Sequence, residues 1–193
     1  MEQNFLQRNM KWIVIVGIIA IVLIWGVSRY NSFIKLNENV TKQWAQVDNQ
    51  LQRRYDLIPN LVSTVQGVAK QEKDVFLKIA EARASYAGAQ TSDAKAQAAT
   101  QIESSLARLL VIVENYPVLQ SSKAFQDLMV SLEGTENRLA VERGKYNELV
   151  VQINAGVKYF PSSIIAKMGG FKAREYFNVT EEAKANPKVD FTQ

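Results

Sequence analysis

Cysteine and histidine are both absent from this sequence of 193 residues. Without them the chain cannot form disulfides, Cys/His zinc sites, thiol nucleophiles or Ser-His-Asp triads, and haem and di-iron helical bundles lose their usual histidine ligands. Carboxylate sites for magnesium, calcium or manganese are the metal chemistry that remains. Nothing in the composition calls for such a metal, so we predict no catalytic residue, no cofactor and no metal ligand, and we expect that the protein is not an enzyme.

Proline, glycine and an excess of one charge are also scarce. Four prolines and nine glycines exclude a collagen-like chain or a chain dominated by linkers. The 23 Lys and Arg exceed the 19 Asp and Glu by little, for a net charge of +4, and they form no dense basic block. Because phosphate binding needs several cations clustered on one face, and because no P-loop, zinc-finger or RNA-recognition pattern occurs, we predict no nucleic-acid partner.

Long uncharged apolar runs are limited to one, residues 12–28, between Lys11 and Arg29. A helix of this length spans about 25 Å, slightly less than the ~30 Å hydrocarbon core of a bilayer. The two flanking cations can extend towards water, and Trp12 and Trp25 suit the lipid–water interface. We predict a transmembrane helix that consists of Trp12, Ile13, Val14, Ile15, Val16, Gly17, Ile18, Ile19, Ala20, Ile21, Val22, Leu23, Ile24, Trp25, Gly26, Val27 and Ser28.

Two other interpretations of this run remain open. A buried core helix is one, although such helices are normally interrupted by polar residues at this length. A cleavable signal peptide is the other, since Arg8 and Lys11 precede the run and residues 26–28 loosely resemble a cleavage site. We favour retention because the run is long for a signal peptide. The charges flanking the run are nearly balanced, and they weakly favour a cytoplasmic C-terminal domain with the N-terminus outside.

After the anchor, apolar residues recur at intervals of three and four, which is typical of helices rather than strands. The first stripe extends from Val40 through Ala69 and predicts a helix that is kinked at Pro59, or two helices nearly in line, reaching about Tyr86. A turn follows at 87–93, where Ser92 or Asp93 is expected to cap the next helix.

The second half of the chain predicts two more helices and a short helical turn. One helix covers 94–115, with Ala98, Ile102, Leu106, Leu109 and Val113 on one face. The next begins after a capping Ser122, continues through Val157 and is broken at Phe160-Pro161, which makes it long enough for antiparallel packing on the first stripe. A turn at 162–168, capped by Ser162, ends at the glycine pair 169–170.

The predicted fold class is all-α, with an N-terminal single transmembrane helix followed by an elongated antiparallel bundle of long helices. We divide the chain into an N-terminal tail with the anchor (1–29), a helical bundle (30–179) and a polar C-terminal tail (180–193).

Several polar residues occupy positions of the apolar stripes or flank the helix breaks. Buried charges are costly unless they are paired, so we expect pairs between helices that fix their register. An alternative is a carboxylate metal site formed by Glu72, Glu114 and Glu136, or a ligand surface at one end of the bundle. The candidate structural polar cluster consists of Arg53, Arg54, Glu72, Arg83, Glu114, Asn115, Glu136 and Arg143.

The sequence resembles the LemA family of bacterial membrane proteins from the anchor to the C-terminus. The motifs that carry the resemblance are Tyr30-Asn31, WAQVD (44–48), QLQRRYDLIPNLVSTVQG (50–67), Glu72-Lys73, EAR (81–83), ENYPVLQSS (114–122), LEGTENRLAVERGKYNELVVQIN (132–154), FPSSIIAKMGGF (160–171), Tyr176-Phe177 and PKVDF (187–191). The resemblance implies a single N-terminal membrane helix, an elongated helical domain and a bacterial cytoplasmic (inner) membrane location. It implies no known catalytic residues.

Three hypotheses about function follow. The first is a membrane-anchored structural or interaction protein whose partners are the lipid bilayer and either further copies of itself, as a homo-oligomer, or another envelope protein. The second is a ligand- or divalent-metal-binding accessory domain of an envelope complex. The third, compatible with either, is contact of Arg29, Lys35 and Lys42 with anionic lipid.

Overall fold

The computed structural model describes residues 2–177, with side chains from residue 9 onward. These residues form helices and connecting turns, with no strand among them, so the predicted all-α class is confirmed. The helices are α1 (Glu2–Gln66), α2 (Lys73–Gly88), α3 (Ser92–Val113), α4 (Pro117–Gln120), α5 (Lys123–Lys158) and α6 (Ser162–Met168). The predicted polar tail at 180–193 and the PKVDF motif at 187–191 lie outside the described residues.

The chain divides into two compact units, and α1 and α5 contribute to both. We call the described residues 2–41 and 148–174 the anchor unit, and the described residues 42–147 and 175–177 the core unit. The boundaries at residues 29 and 179 that we drew from the sequence stay predictions.

Helix α1 continues through Pro59 without a break and ends at Gln66, so the prediction of a helix reaching about Tyr86 was wrong. Gly67, a poor helix former, follows the last residue of α1. The amides of Val68 and Ala69 both donate to the carbonyl oxygen of Val65, at 3.0 and 2.8 Å, which ends the regular helical pattern. Residues 67–72 therefore form a turn, and α2 returns antiparallel to α1 within the core unit.

Helix α3 is capped by Thr91, whose hydroxyl accepts a hydrogen bond of 3.1 Å from the amide of Ala94. The expectation that Ser92 or Asp93 would cap it was wrong, because Thr91 has the extended backbone of an N-cap residue and Ser92 is already helical. The face predicted for this helix is confirmed, since all five of its residues are buried: Ala98, Ile102, Leu106, Leu109 and Val113.

Helix α5 begins as predicted after Ser122, whose hydroxyl accepts a 3.2 Å hydrogen bond from the amide of Phe125. In the core unit it runs antiparallel to α1, since Gln43 contacts Glu142 while Arg54 contacts Glu136. The helical core of this unit includes the fully buried Val47, Ile58, Leu61, Ile79, Leu109 and Leu139.

In the anchor unit, α6 follows the end of α5. Ser162 does not cap α6 as predicted; its hydroxyl donates to the carbonyl oxygens of Gly156 and Tyr159, at 2.9 and 2.8 Å, and so serves the end of α5. Gly170 ends α6 with a positive φ of 72°, and the amide of Phe171 bonds the carbonyl of Ala166 at 2.9 Å. This pattern is a Schellman ending, which confirms the predicted stop at the glycine pair.

Candidate functional site

Four charged side chains from three helices form a network inside the core unit. Arg143 of α5 places one Nη atom 2.6 Å from Glu103 of α3 and 3.0 Å from Glu136 of α5. Arg54 of α1 forms an ion pair with Glu136 and lies 3.6 Å from the Glu103 carboxylate. The two arginines and two glutamates balance in charge, so α1, α3 and α5 are joined without a net buried charge.

The members of this network differ in how deeply they are buried. The Arg143 side chain is 7% exposed and Glu136 is 40% exposed, so one end is sealed and the other reaches solvent. Desolvation lowers the pKa of the Arg54 guanidinium, while the charge of Glu103 opposes that change and Arg143 adds to it. The Nε atoms of Arg54 and Arg143 are buried without a hydrogen-bond partner among the described residues, which weakens the network as a source of stability.

The cavity at the buried end of the network is too small for a substrate. The cavity that borders Arg54 and Glu103 has a volume of about 10 Å³, which is at the lower limit for one water molecule. Arg143 is covered on another side by Phe177, whose ring centre lies 5.0 Å from the guanidinium carbon. The arrangement can therefore fix the register of three helices, and the Glu136 carboxylate is its solvent-exposed end.

A second polar cluster joins α1, α2 and α3 in the same unit. The Tyr86 hydroxyl donates to Asp48 at 2.7 Å, and Lys95 contacts the other Asp48 oxygen at 2.6 Å. Burial, followed by the hydrogen bond and charge of Asp48, raises the pKa of Tyr86. Beside it, the Tyr55 hydroxyl donates to the Arg83 carbonyl at 2.6 Å and the Arg83 guanidinium covers the Tyr55 ring.

The eight residues predicted as a polar cluster are distributed over several places. Arg54, Glu136 and Arg143 lie in the network, whereas Arg83 stacks on Tyr55. The remaining four lie outside both clusters, half-buried in the turn before α2 or exposed: Glu72, Arg53, Glu114 and Asn115.

Glu103 was missed in the sequence because its partners lie on other helices. The signal that could have identified it is its spacing, four residues after Ala99 and three before Leu106, both of which are buried.

No metal site is assembled from Glu72, Glu114 and Glu136, of which Glu136 is bound to Arg54 and Arg143. Between residues 9 and 177, no three acidic side chains converge on one point in a way that could hold a metal ion.

An open groove crosses the core unit between α2 and α3. Its volume is about 750 Å³, and Lys78, Glu81, Asp93 and Arg108 contribute charges of both signs to its walls. Tyr176 lines the same groove. The groove is large enough for a small ligand, but it is wide and polar rather than enclosed and apolar.

The apolar run of α1 lies in the anchor unit, and it is exposed. Its large apolar side chains from Trp12 to Ile24 are between 45 and 71% exposed. In length and composition α1 is the one described helix that could cross a membrane. From Phe33 onward, by contrast, α1 buries a regular stripe that includes Val40 in this unit.

These features together define a membrane-associated helical protein: the part of the chain that the structure describes is all-α, has one candidate membrane span near the N-terminus and pairs the charges of its buried network. The chain belongs to the LemA family, since the sequence pattern of that family matches residues 43–191.

Two similar proteins are named magnetosome proteins. Magnetosome protein MamQ of Magnetospirillum gryphiswaldense is 26% identical over 176 residues, which cover 78% of this chain and 65% of the relative. Magnetosome protein MamQ 2 of Paramagnetospirillum magneticum is 26% identical over 189 residues, which cover 84% of this chain and 68% of the relative. The match thus spans about two thirds of the length of these relatives.

Proposed function

We propose that this protein is a non-enzymatic, single-pass membrane protein that assembles with copies of itself into a scaffold at the bacterial inner membrane. The observation that carries the membrane-spanning part of the proposal is the exposure of the apolar side chains from Trp12 to Ile24. Burial of apolar surface is worth about 25 cal/mol per Å², so a run of this size is costly in water and favourable in lipid.

The orientation in this proposal places the C-terminal part of the chain in the cytoplasm. Arg29 and Lys35 follow the span on that side, and the cytoplasmic leaflet is the anionic one. Contact of Lys42 with the same leaflet belongs to this proposal.

Self-association is supported by one exposed face of α5. Val130, Gly134, Asn137, Val141 and Gly144 follow one another at spacings of four and three, so they share a face of the helix. Both valines are more than half exposed, and a Cβ atom added at either glycine would have no neighbour within 4 Å. Glycine in a helix interior costs about 1 kcal/mol relative to alanine, and close approach of a second helix would account for keeping it there.

A cysteine-free chain allows a direct test of this face. We propose to introduce Val141→Cys into the full chain, oxidise native membranes, and look for a species of twice the 21.7 kDa chain mass. Val111→Cys, an exposed valine on α3, is the matched control. The expected result is a disulfide-linked dimer for Val141→Cys and none for the control.

A second variant makes this result specific to close packing. A side chain added at Gly144 has open space around it within one chain, so Gly144→Leu should leave the fold intact. The larger side chain should obstruct the approach of a second copy and so reduce the yield of the crosslink at Val141→Cys. Equal crosslinking with and without Gly144→Leu, or no dimer in any variant, would contradict self-association through α5.

The names of the similar proteins extend the proposal. Because MamQ chains are named magnetosome proteins, we infer that the assembly could serve at a magnetosome membrane. A membrane-organising role for the assembly is part of our proposal and follows from a scaffold that is anchored in the bilayer. Another envelope protein as the partner, in place of a second copy, would appear as a product of a different mass when Val141→Cys is treated with a thiol- and amine-reactive crosslinker, which needs no cysteine on the partner.

The groove between α2 and α3 supports a second candidate function, a ligand- or divalent-cation-binding accessory domain. Its volume of about 750 Å³ lies in the range of small-molecule sites. A ligand at about 100 times its dissociation constant would add roughly 2.7 kcal/mol of stability, which a thermal-shift panel of divalent cations and small anions would detect. Arg108→Gln should remove an anion response, whereas Arg138→Gln on α5 should keep it. A flat panel would contradict this candidate.

A further inference from the structure

An exposed apolar patch surrounds α6 in the anchor unit. We call it the α6 patch and define it as Tyr159, Phe160, Ile164 and Met168. Phe160 and Met168 are each 81% exposed, so both side chains are almost as accessible as in an extended chain. Single exposed apolar residues are ordinary, but four within ten positions, two of them aromatic, are a local concentration of the kind that marks an interaction site.

The charges around the α6 patch have one sign. Lys158 precedes it, Lys167 lies within it and Lys172 follows it, and the sequence from 158 to 174 contains no acidic residue. Ile164, Lys167 and Lys172 also line an open groove of about 500 Å³. An apolar patch with a cationic rim and no acidic residue in its sequence is complementary to a surface that is both apolar and anionic.

The fold places the α6 patch beside the C-terminal end of the apolar run of α1. A Cβ atom added at Gly26, inside the predicted span, would lie 3.7 Å from the Ile165 side chain. Just beyond the span, Phe171 stacks on Phe33 with ring centres 5.1 Å apart and meets Tyr30 edge-on at 5.8 Å. All of these residues belong to the anchor unit, so α6 sits at the level where α1 would leave the hydrocarbon.

We propose that the α6 patch is a second membrane contact: it inserts into the headgroup and upper acyl region of the bilayer that α1 spans, and Lys158, Lys167 and Lys172 bind anionic lipid headgroups. This inference rests on the proposed anchoring function. The position of the α6 patch along α1 argues for lipid rather than for a second copy, because a patch beside the end of a membrane span lies at the lipid–water interface. Aromatic and lysine side chains are the types that favour this region.

The test uses the full, naturally cysteine-free chain in vesicles of phosphatidylcholine with phosphatidylglycerol. An environment-sensitive fluorophore is attached at Phe160→Cys or Met168→Cys, with Val151→Cys as the matched control. Val151 is an exposed apolar residue of α5 in the same unit, two turns before Lys158. A label at Ile19→Cys reports on the span itself. Quenching by a lipid-attached nitroxide is then compared with quenching by aqueous iodide.

The inference predicts that the labels at Phe160→Cys and Met168→Cys are quenched several-fold more strongly by the lipid-attached nitroxide than the Val151→Cys label. If they match Val151→Cys while the Ile19→Cys label is quenched from the lipid, the inference is wrong and the anchor stands. If the Ile19→Cys label is not quenched from the lipid, the proposed function itself fails. Labels on the patch that are shielded from both quenchers would mean that protein covers it, which also overturns the inference.

The cationic part is tested separately. Lys167→Gln combined with Lys172→Gln should reduce lipid quenching of the Met168→Cys label in the anionic vesicles and leave it unchanged in phosphatidylcholine alone. The matched control is Lys145→Gln, an exposed lysine of the core unit. No change in anionic vesicles, or the same loss in both vesicle types, would refute binding of anionic headgroups by these lysines.

Discussion

Replacement of Arg143 by methionine tests the charge network most severely. Methionine retains the unbranched apolar stem of arginine but ends before the guanidinium, so it removes the charge and both contacts to carboxylates. Glu103 would then keep only Arg54, at 3.6 Å, and the covering contact with the Phe177 ring would be lost. The perturbation leaves a carboxylate in the core with one distant partner.

The expected loss follows from burial. Breaking a buried ion pair by removing one partner costs about 3–5 kcal/mol, because the remaining charge is uncompensated. The Arg143 and Glu103 side chains are only 7% and 13% exposed, so water screens this pair little. For a chain of this size, about 3–5 kcal/mol corresponds to a melting temperature lower by roughly 6–20 °C.

The assay is urea unfolding of the full chain in detergent micelles, in a background with Trp12→Phe and Trp25→Phe so that the fluorescence comes from Trp44, the remaining one of the three tryptophans. Trp44 reports on the core unit because its ring contacts Tyr146 at 5.4 Å and Phe177 at 6.0 Å. The matched control is Arg138→Met, an exposed arginine on the same helix, which should stay within about 0.5 kcal/mol of the wild type. If Arg143→Met costs no more than Arg138→Met, the network does not stabilise the fold and our reasoning is refuted.

Two other predictions concern a hydrogen bond and a close packing contact. Tyr86→Phe should cost about 1.5–3 kcal/mol at neutral pH, since it removes a hydrogen bond to Asp48. Because the folded state raises the pKa of Tyr86, this contribution to the free energy of unfolding is fully present below about pH 10, the ordinary tyrosine value, and declines above it. The free energy of unfolding, measured against pH, should therefore fall less steeply above about pH 10 in Tyr86→Phe than in the wild type. An equal fall in both proteins would contradict the assignment. Gly156→Ala should destabilise the fold by about 1–3 kcal/mol, because its Cβ would lie 2.8 Å from the Phe33 ring. The control Gly144→Ala should be neutral or stabilising, since its Cβ would meet open space on a helix. Equal effects of the two substitutions in thermal unfolding would show that the Phe33 contact is unimportant.

Helices were predictable from the sequence wherever the pattern of apolar residues is regular. The buried face of α3 and the start of α5 follow from spacing and from a serine cap, both of which are local signals. The break after α1 was misplaced because the spacing of three and four continues from Val65 to Ala69, through the turn that Gly67 begins. Proline at position 59 was the more obvious interruption, yet its side chain is exposed and the helix continues through it.

The polar clusters were less predictable, since they depend on which helices become neighbours. Sequence position could identify Glu136 and Arg143 as charges on an apolar stripe, and the structure pairs them. It could not identify Glu103, whose two partners are contributed by α1 and α5. The position of α6 beside Gly26 could not be predicted from the sequence for the same reason, because no local pattern links two segments so far apart in the chain.

The number of copies of the full chain in one patch of native-like bilayer tests the central claim most directly. Single-particle imaging or mass measurement of membrane patches taken directly from cells would count them without detergent. The account predicts two or more copies in contact along α5, and single copies for Gly144→Leu. Single copies of the unaltered chain at every membrane density would contradict it.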